Sequence, residues 1–588
     1  MKSFKQIFKE ADNKIVGIAA APGIVIAKVY LFTKEKLVIN DSPIENTEEA
    51  KQNFREALNK SKKELDKIFQ IAKEKMEATR AAIFEAQLMI LDDPILIGNI
   101  ESRIEKEKKQ PEYIVFDEIS RYQQMMILSH EPYMNDRAND IEDIKNRIIR
   151  NLQKKRWQSK IISDTIVVSD SLTPADTILL SRCNVKGFVT DHGGLTSHAA
   201  IVSRSLNIPA VVGTHNSTKK IKDGDQIIVD GFHGYVIINP TEEQIIFFTG
   251  KLDRLMELQQ SLSELKDQPA QTSDGKEITL LANVDVTGEI DLVITNGAKG
   301  IGLFRTEQIL EEMGEFPSEE DQTRIYSNLA SRMYPSPVTI RAFDIGGDKF
   351  KFLNFTEPNP FLGLRGIRLL LENEKVFMTQ IRSVLSASKN KNVLFMLPMV
   401  STVAEIKKAM QLIEHCKHQL REEKVQFDKH MRIGVMVEVP SAAVLAFELA
   451  SEVDFLSIGT NDLIQYLMAV DRGNDLVSGL YQEFHPAVIR TLSHIIKDAA
   501  RADKLISICG EMAGDTLAIP LLVGLGMKVL SIAPTTIPYA KRIIRSISFS
   551  KAKSLADECL VCKTEAEIIE RLEKFFADNS ITRTRNII

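Results

Sequence analysis

The spacing of apolar positions changes repeatedly along the chain, and each change marks a stretch of different structure. Between Ile15 and Phe32 they crowd into β-rich runs interrupted by Ala21-Pro22-Gly23, which predicts strand, turn and strand. From Asp41 to Gln158 the spacing becomes helical, in long charged segments with few glycines: Glu48–Lys75, Glu77–Leu91, Pro94–Lys109, Pro111–Ser129 and Tyr133–Lys154. Ile83, Leu88, Ile90 and Leu91 recur near helical spacing within them. Short β runs return at Thr165–Ser169, Gly187–Thr190, Pro209–Gly213, Gln226–Asp230 and Gly234–Ile238. Because β runs lie on both sides of the helical stretch, residues 41–158 are predicted to be a helical insertion in a β-rich domain built from 1–40 and 159–240.

Thr241–Leu265 predicts a helix charged on one face, and it leads into the turn-prone Gln268–Gly275, so 241–275 is expected to be a linker. Beyond Lys276 the texture is eight short apolar runs separated by helical stretches: Leu280–Val284, Ile301–Thr306, Val338–Phe343, Val393–Pro398, Ile433–Glu438, Phe455–Thr460, Ile506–Glu511 and Lys528–Ala533. Eight β units interleaved with helices predict a (β/α)8 barrel of the TIM type over 276–588, and the whole chain is expected to be a multidomain α/β protein.

Composition adds exclusions. The 588 residues are 44% hydrophobic and 26% charged with a formal charge of −5, a balance typical of soluble globular proteins and lacking the basic excess of a nucleic-acid footprint. The charged N-terminal decapeptide has no apolar core of a signal peptide, and no apolar run is long enough to span a bilayer, so a cytoplasmic location is expected. Five cysteines over this length argue against a disulfide framework, and the single C-x-x-C at Cys559 and Cys562 has no second pair to complete a metal site.

Candidate chemistry gathers in two places. In Gly193-Gly194-Leu195-Thr196-Ser197-His198-Ala199-Ala200, two glycines allow a tight turn, Thr196 or Ser197 can cap a helix, and His198 sits in that helix's first turn. The N–H groups there favour an anion, so a phosphoryl group on His198 would be well placed. The second place is the set of residues closing the apolar runs of the barrel: Arg305, Arg341, Glu438, Asn461, Asp462 and Cys509. Strand C-termini converge in such barrels, so these residues are expected to share one site. With Arg472 they bring three guanidinium forks suited to phosphate and carboxylate, while Glu438 and Asp462 are hard oxygen ligands of the kind Mg²⁺ takes. A small, metal-chelating phosphate ester would satisfy all of them.

The histidine segment, continued through Ile208-Pro209-Ala210-Val211-Val212-Gly213, resembles the phosphohistidine loop of the phosphoenolpyruvate-utilising enzymes. Gly300–Glu307, Arg341–Lys349, Asn359–Arg365, Glu438–Ser441, Gly459–Leu463, Asp471–Asn474 and Cys509–Asp515 resemble the phosphoenolpyruvate site of the Enzyme I family of the bacterial phosphotransferase system. The resemblance runs from Gly17 to about Arg545, with the motifs in the family's order. It implies a swivelling phosphohistidine domain, an inserted helical subdomain that binds the phosphocarrier HPr near Ala86–Asp93, and a barrel that binds phosphoenolpyruvate and pairs two chains as a homodimer.

The same resemblance implies roles. His198 would carry the phosphoryl group and Thr177 would hydrogen-bond it; Arg305 and Arg341 would grip the phosphate, with Arg472, Asn461 and Asp462 completing the substrate site and Arg365 supporting it. Glu438 and Asp462 would hold Mg²⁺, and Cys509 would protonate the enolate carbon as pyruvate forms. One departure is Leu195, where the family usually has arginine. The implied activity is phosphoryl transfer from phosphoenolpyruvate through His198 to HPr, the first step of sugar uptake. A regulatory relay through an HPr-like protein is the alternative. A phosphoenolpyruvate synthase or pyruvate phosphate dikinase is disfavoured, because residues 1–192 hold no G-x-x-x-x-G-K-[ST] run and little room for an ATP-binding domain.

Overall fold

The computed structural model describes residues 13–33, 39–75, 78–128, 132–154, 163–181, 183–195, 197–206, 208–346, 359–472, 474 and 476–581. The chain forms two compact units, 1–253 and 254–588.

The first unit is organised by an eight-stranded sheet. Its strands are β1 (Lys14–Val16), β2 (Ile18–Ala21), β3 (Ile24–Phe32), β4 (Ile166–Ser169), β5 (Gly187–Thr190), β6 (Ala210–Val212), β7 (Gln226–Asp230) and β8 (Tyr235–Ile238). Their order is β1-β8-β7-β3-β4-β5-β6-β2. Val29–Phe32 of β3 run parallel to Ile166–Ser169 of β4, so the chain leaves the sheet after β3 and returns beside the same strand. Among the described residues three strands, and not the expected two, precede the helices. The extra break falls at Gly17, where a Cβ would lie 2.6 Å from the Val212 carbonyl oxygen, so no side chain fits.

Between β3 and β4 lie helices Thr47–Lys75, Ala78–Leu91, Pro94–Glu107, Pro111–Leu128 and Pro132–Leu152, within a few residues of the segments expected from spacing. The third starts where Asp93 Oδ1 accepts the Ile95 N–H at 2.8 Å with Pro94 behind it, and stops where Lys108 turns left-handed. Their apolar faces meet around Phe54, Leu65, Ile100, Ile114 and Ile148, all at most 1% exposed. That core extends to Ala175, Ile178 and Val202. The helices Pro174–Ser181 and His198–Ser205, which carry Thr177 and His198, therefore pack between the sheet and the inserted helices.

In the second unit β9 (Thr279–Val284), β10 (Ile301–Phe304), β11 (Val338–Arg341), β12 (Val393–Leu397), β13 (Ile433–Val437), β14 (Phe455–Gly459), β15 (Leu505–Cys509) and β16 (Val529–Ile532) close into a parallel barrel. Strands buried on both faces read as unbroken apolar runs, which is why all eight were expected within two residues of where they lie. Leu303, Leu394, Met396, Met436, Phe455 and Cys509 form a separate buried cluster that fills the barrel. Gly434 makes room for it: a Cβ there would lie 2.4 Å from the Phe455 ring. The run expected as a linker contains the helix Glu242–Glu264. No helix among the described residues is long and apolar enough to cross a membrane.

After the barrel, Phe549–Val561 and Glu565–Asp578 add two helices. Cys559 and Cys562 are buried in the main core, and burial pushes the Cys559 thiol up to about 12, as suits an apolar filler. The helix carrying Cys559 packs on Ile519–Leu525 so closely that a Cβ on Gly524 would sit 2.0 Å from the Ala552 carbonyl oxygen. Gly524→Ala is expected to cost about 2 kcal/mol or more by overpacking and to lower the calorimetric unfolding midpoint. Gly98→Ala, in a helix with nothing within 4 Å of the new methyl, is expected to leave the midpoint unchanged or to raise stability by about 0.5–1 kcal/mol.

Candidate active site

All eight barrel strands run parallel, so their C-terminal ends open on one mouth, and the polar residues that close the apolar runs meet there. Arg305 follows β10, Arg341 ends β11, Glu438 follows β13, Asn461 and Asp462 begin the helix Thr460–Met468 after β14, and Cys509 ends β15. They line a cavity of about 320 Å³ together with Arg365 and Arg472. The cavity also contains Asp285, Glu307, Asp344 and Glu511, which sequence patterning did not single out.

At its floor Arg341 is 7% exposed and held from two sides. Its Nη2 donates to Glu307 Oε1 at 3.0 Å and its Nη1 lies 3.3 Å from Asp344 Oδ2. Glu307 Oε1 also accepts the Asp344 backbone N–H at 2.8 Å, so one carboxylate fixes both the arginine and the loop after it. Burial works against the Arg341 charge, but the Glu307, Asp344, Glu438 and Asp462 carboxylates outweigh it and hold the group charged. Its Nε–H is buried without a hydrogen-bond acceptor among the described residues.

Arg365 spans two carboxylates. Its Nε and Nη2 donate to Asp344 at 3.0 and 3.0 Å, and its Nη1 and Nη2 to Asp462 at 3.2 and 3.1 Å. Glu438 is 1% exposed and accepts the Met399 N–H at 2.6 Å. Burial, then the Asp344 and Asp462 charges, push its carboxyl up to about 8, against the pull of Arg341 and Arg365. Oxygens of Asp344, Glu438 and Asp462 lie within 4.8 Å of one another. When ionised, the four carboxylates around Arg341 and Arg365 exceed those two cations by two negative charges. A hard divalent cation with several oxygen ligands fits both the donors and the charge. Asp344 thus lies beside the expected ligands Glu438 and Asp462, within the Arg341–Lys349 segment that carries part of the family resemblance.

At the rim, Arg305 Nη1 meets Asp285 at 2.8 and 3.1 Å. Glu511 Oε1 accepts from Arg472 Nη1 at 3.2 Å and Asn461 Nδ2 at 3.3 Å. These two arginines are more exposed than Arg341, and their partners can be exchanged for ligand oxygens at low cost. Cys509 is 2% exposed; its Sγ accepts from the Ser457 hydroxyl at 3.6 Å and its thiol donates to the Ile458 carbonyl at 3.4 Å. Burial raises the thiol above its ordinary value, more than the Ser457 hydroxyl lowers it, so Cys509 keeps its proton.

The histidine loop lies in the first unit. Ser197, the helix N-cap, has extended backbone, and its hydroxyl accepts the Ala200 N–H at 3.4 Å. Gly193 is left-handed, with φ of 122°. Leu195 is exposed, and its carbonyl accepts from Arg204 Nη2 at 2.7 Å while Arg204 Nη1 donates to the Ala20 carbonyl at 2.7 Å, tying the loop to β2. Thr177 is buried and its hydroxyl donates to the Thr173 carbonyl at 2.9 Å. His198 opens the helix His198–Ser205; its imidazole, Thr196 and Gly473 lie outside the described residues.

Three families of phosphoenolpyruvate-utilising enzymes match in order: the N-terminal domain over 16–137, the mobile domain over 161–234 and the phosphoenolpyruvate-binding domain over 259–549. The phosphoenolpyruvate-protein phosphotransferase of Staphylococcus carnosus is 40% identical over 96% of this chain and 99% of its own. That of Listeria monocytogenes is 40% identical over 96% and 100%, and that of Geobacillus stearothermophilus 39% over 96% and 99%. With both the barrel-mouth cluster and the capped histidine helix falling inside those matches, the chain belongs to the phosphoenolpyruvate-utilising enzymes, among the Enzyme I phosphoenolpyruvate-protein phosphotransferases.

Proposed function

We propose that the chain moves the phosphoryl group of phosphoenolpyruvate to His198, releases pyruvate, and passes the group to a histidine of an HPr-like phosphocarrier. The observation that carries the barrel half of this reading is the cavity in which Arg305, Arg341 and Arg472 converge beside Asp344, Glu438 and Asp462. Phosphate and carboxylate oxygens of the substrate take over rim donors now held by Asp285 and Glu511, and Arg341, fixed by Glu307, adds its charge from the wall of the same cavity. Glu438 and Asp462, with Asp344 beside them, would hold Mg²⁺, which when bound offsets the charge of the substrate's oxygens.

In the transfer, an imidazole nitrogen of His198 forms the new bond to phosphorus as the bond to the enol oxygen breaks, and the electron pair stays with the enolate. Cys509, which holds its thiol proton within the same cavity, gives that proton to the enolate carbon and recovers it from solvent. The helix end capped by Ser197 favours the charge of phosphohistidine. Because the Thr177 hydroxyl spends its proton on Thr173, it would serve His198 as an acceptor and fix the tautomer of the attacking ring. His198 must then meet both the barrel mouth and the carrier, through movement of the 241–275 linker. The carrier would dock on the inserted helices near Ala86–Asp93, and two chains would pair through the barrel in the cytoplasm.

Two measurements test this reading. His198→Ala is expected to abolish uptake of ³²P from labelled phosphoenolpyruvate; uptake at the parent level ends the proposal. Cys509→Ala is expected to lower turnover by about 10²–10⁴-fold, the usual worth of a positioned proton donor, with substrate affinity within about threefold of the parent by calorimetry.

A further inference from the structure

The three carboxylates of the metal cluster do not share their protein partners equally. Glu438 leans on the Met399 N–H, whereas Asp344 and Asp462 each place both oxygens on the guanidinium of Arg365. A divalent ion the size of Mg²⁺ needs oxygens at about 2.0–2.1 Å, which would put it beside a fixed guanidinium on the same oxygens of Asp462. Two cations that close repel strongly where water is scarce, and arginine cannot escape by losing its proton. Arg365 has to move.

The structure supplies a pivot for that movement. The Asp462 contact uses Nη1 and Nη2 and the Asp344 contact uses Nε and Nη2, so Nη2 is shared and Nε bonds Asp344 and not Asp462; the Tyr466 hydroxyl lies 3.2 Å from Nη1, and the Phe361 ring lies 5.9 Å from the guanidinium carbon. The other arginines of the cavity are placed differently: Arg341 lies 3.3 Å from Asp344 and is otherwise held by Glu307, while Arg305 is paired with Asp285 and Arg472 with Glu511, both outside the cluster.

We propose that Arg365 is the resident cation of the metal-free site: it holds Asp462 against Asp344 until a divalent ion displaces it, and the displaced fork, still anchored on Asp344, then turns to an anionic oxygen of the substrate. The inference rests on the reading of Glu438 and Asp462 as metal ligands. Its consequence is that metal and phosphate ester bind with positive coupling, each removing an obstacle to the other.

The test uses the full chain carrying His198→Ala, so that no phosphoryl transfer occurs, with free Mn²⁺ counted by electron paramagnetic resonance with and without phosphoenolpyruvate. In this parent, phosphoenolpyruvate is expected to tighten Mn²⁺ binding at least tenfold. Adding Arg365→Gln is expected to tighten substrate-free Mn²⁺ binding at least tenfold and to shrink the tightening by phosphoenolpyruvate below threefold. Arg305→Gln removes the same charge from outside the cluster and is expected to change substrate-free binding less than threefold. The inference is overturned if Arg365→Gln binds Mn²⁺ no more tightly than the parent, or if Arg305→Gln tightens it equally. Should Arg365→Gln fail to fold by circular dichroism, Arg365→Lys replaces it: one ammonium cannot span both carboxylates, so at least threefold tightening is expected and its absence overturns the inference. If the parent binds no Mn²⁺ with or without substrate, the metal reading itself falls; if it does and only the Arg365 variants fail, this inference alone falls.

Discussion

The barrel site is governed by an imbalance of buried charge. Arg341 and Arg365 stand among Glu307, Asp344, Glu438 and Asp462, and these groups are largely withdrawn from water. Buried like charges cannot simply be tolerated; they have to be protonated, paired or joined by a counter-ion. The raised Glu438 carboxyl and the doubly shared Arg365 are two local answers to that pressure. A metal-bound phosphate ester answers it more completely, since its cation neutralises the carboxylates while its anionic oxygens occupy the arginines. Binding would thus exchange internal pairs for external ones, instead of adding charge to an apolar hole.

The barrel makes such a cluster possible. Eight parallel strands bring residues more than 200 positions apart, such as Arg305 and Cys509, to one opening. The filling of the barrel by Phe455, Met436 and Leu303 leaves Cys509 as the polarisable last residue of β15 beneath the cavity. Glycine completes the floor. A Cβ on Gly459 would lie 2.8 Å from a Glu438 oxygen, and one on left-handed Gly510 would lie 2.2 Å from the Thr460 hydroxyl, so side chains at either position would push directly on the cluster.

How far this could be read from the sequence follows from the same physics. A polar residue that ends an apolar run is conspicuous, so Arg305, Arg341, Glu438 and Cys509 stood out, and strand order placed them together. Glu307 and Glu511 did not, because each opens a short helix, where an acidic residue is ordinary complement to the helix dipole. Asp285 and Asp344 sit in loops past strand ends, where aspartate is commonplace turn chemistry. Their second role is set by contacts over long sequence distances, such as Arg305 to Asp285 and Arg365 to both Asp344 and Asp462, which no local pattern encodes. In the first unit the break at Gly17 was hidden for a related reason, since the obstacle to a side chain there is the Val212 carbonyl of a strand nearly 200 residues away.

Leu195 bears on how the two halves divide the electrostatic work. A family arginine at that position would place a mobile cation on the histidine loop; here the exposed leucine contributes none, while Arg204 grips the Leu195 carbonyl and the Ala20 carbonyl and so spends its fork on loop geometry. Phosphohistidine on this chain would then lean more on the Ser197-capped helix end, a weaker and fixed source of positive potential. A phosphoryl group held less tightly by its donor moves more readily to an acceptor that brings its own positive charge. If His198 carries the phosphoryl group as proposed, Leu195 would shift the burden of stabilising it from the histidine loop to the barrel arginines before transfer and to the carrier protein after it.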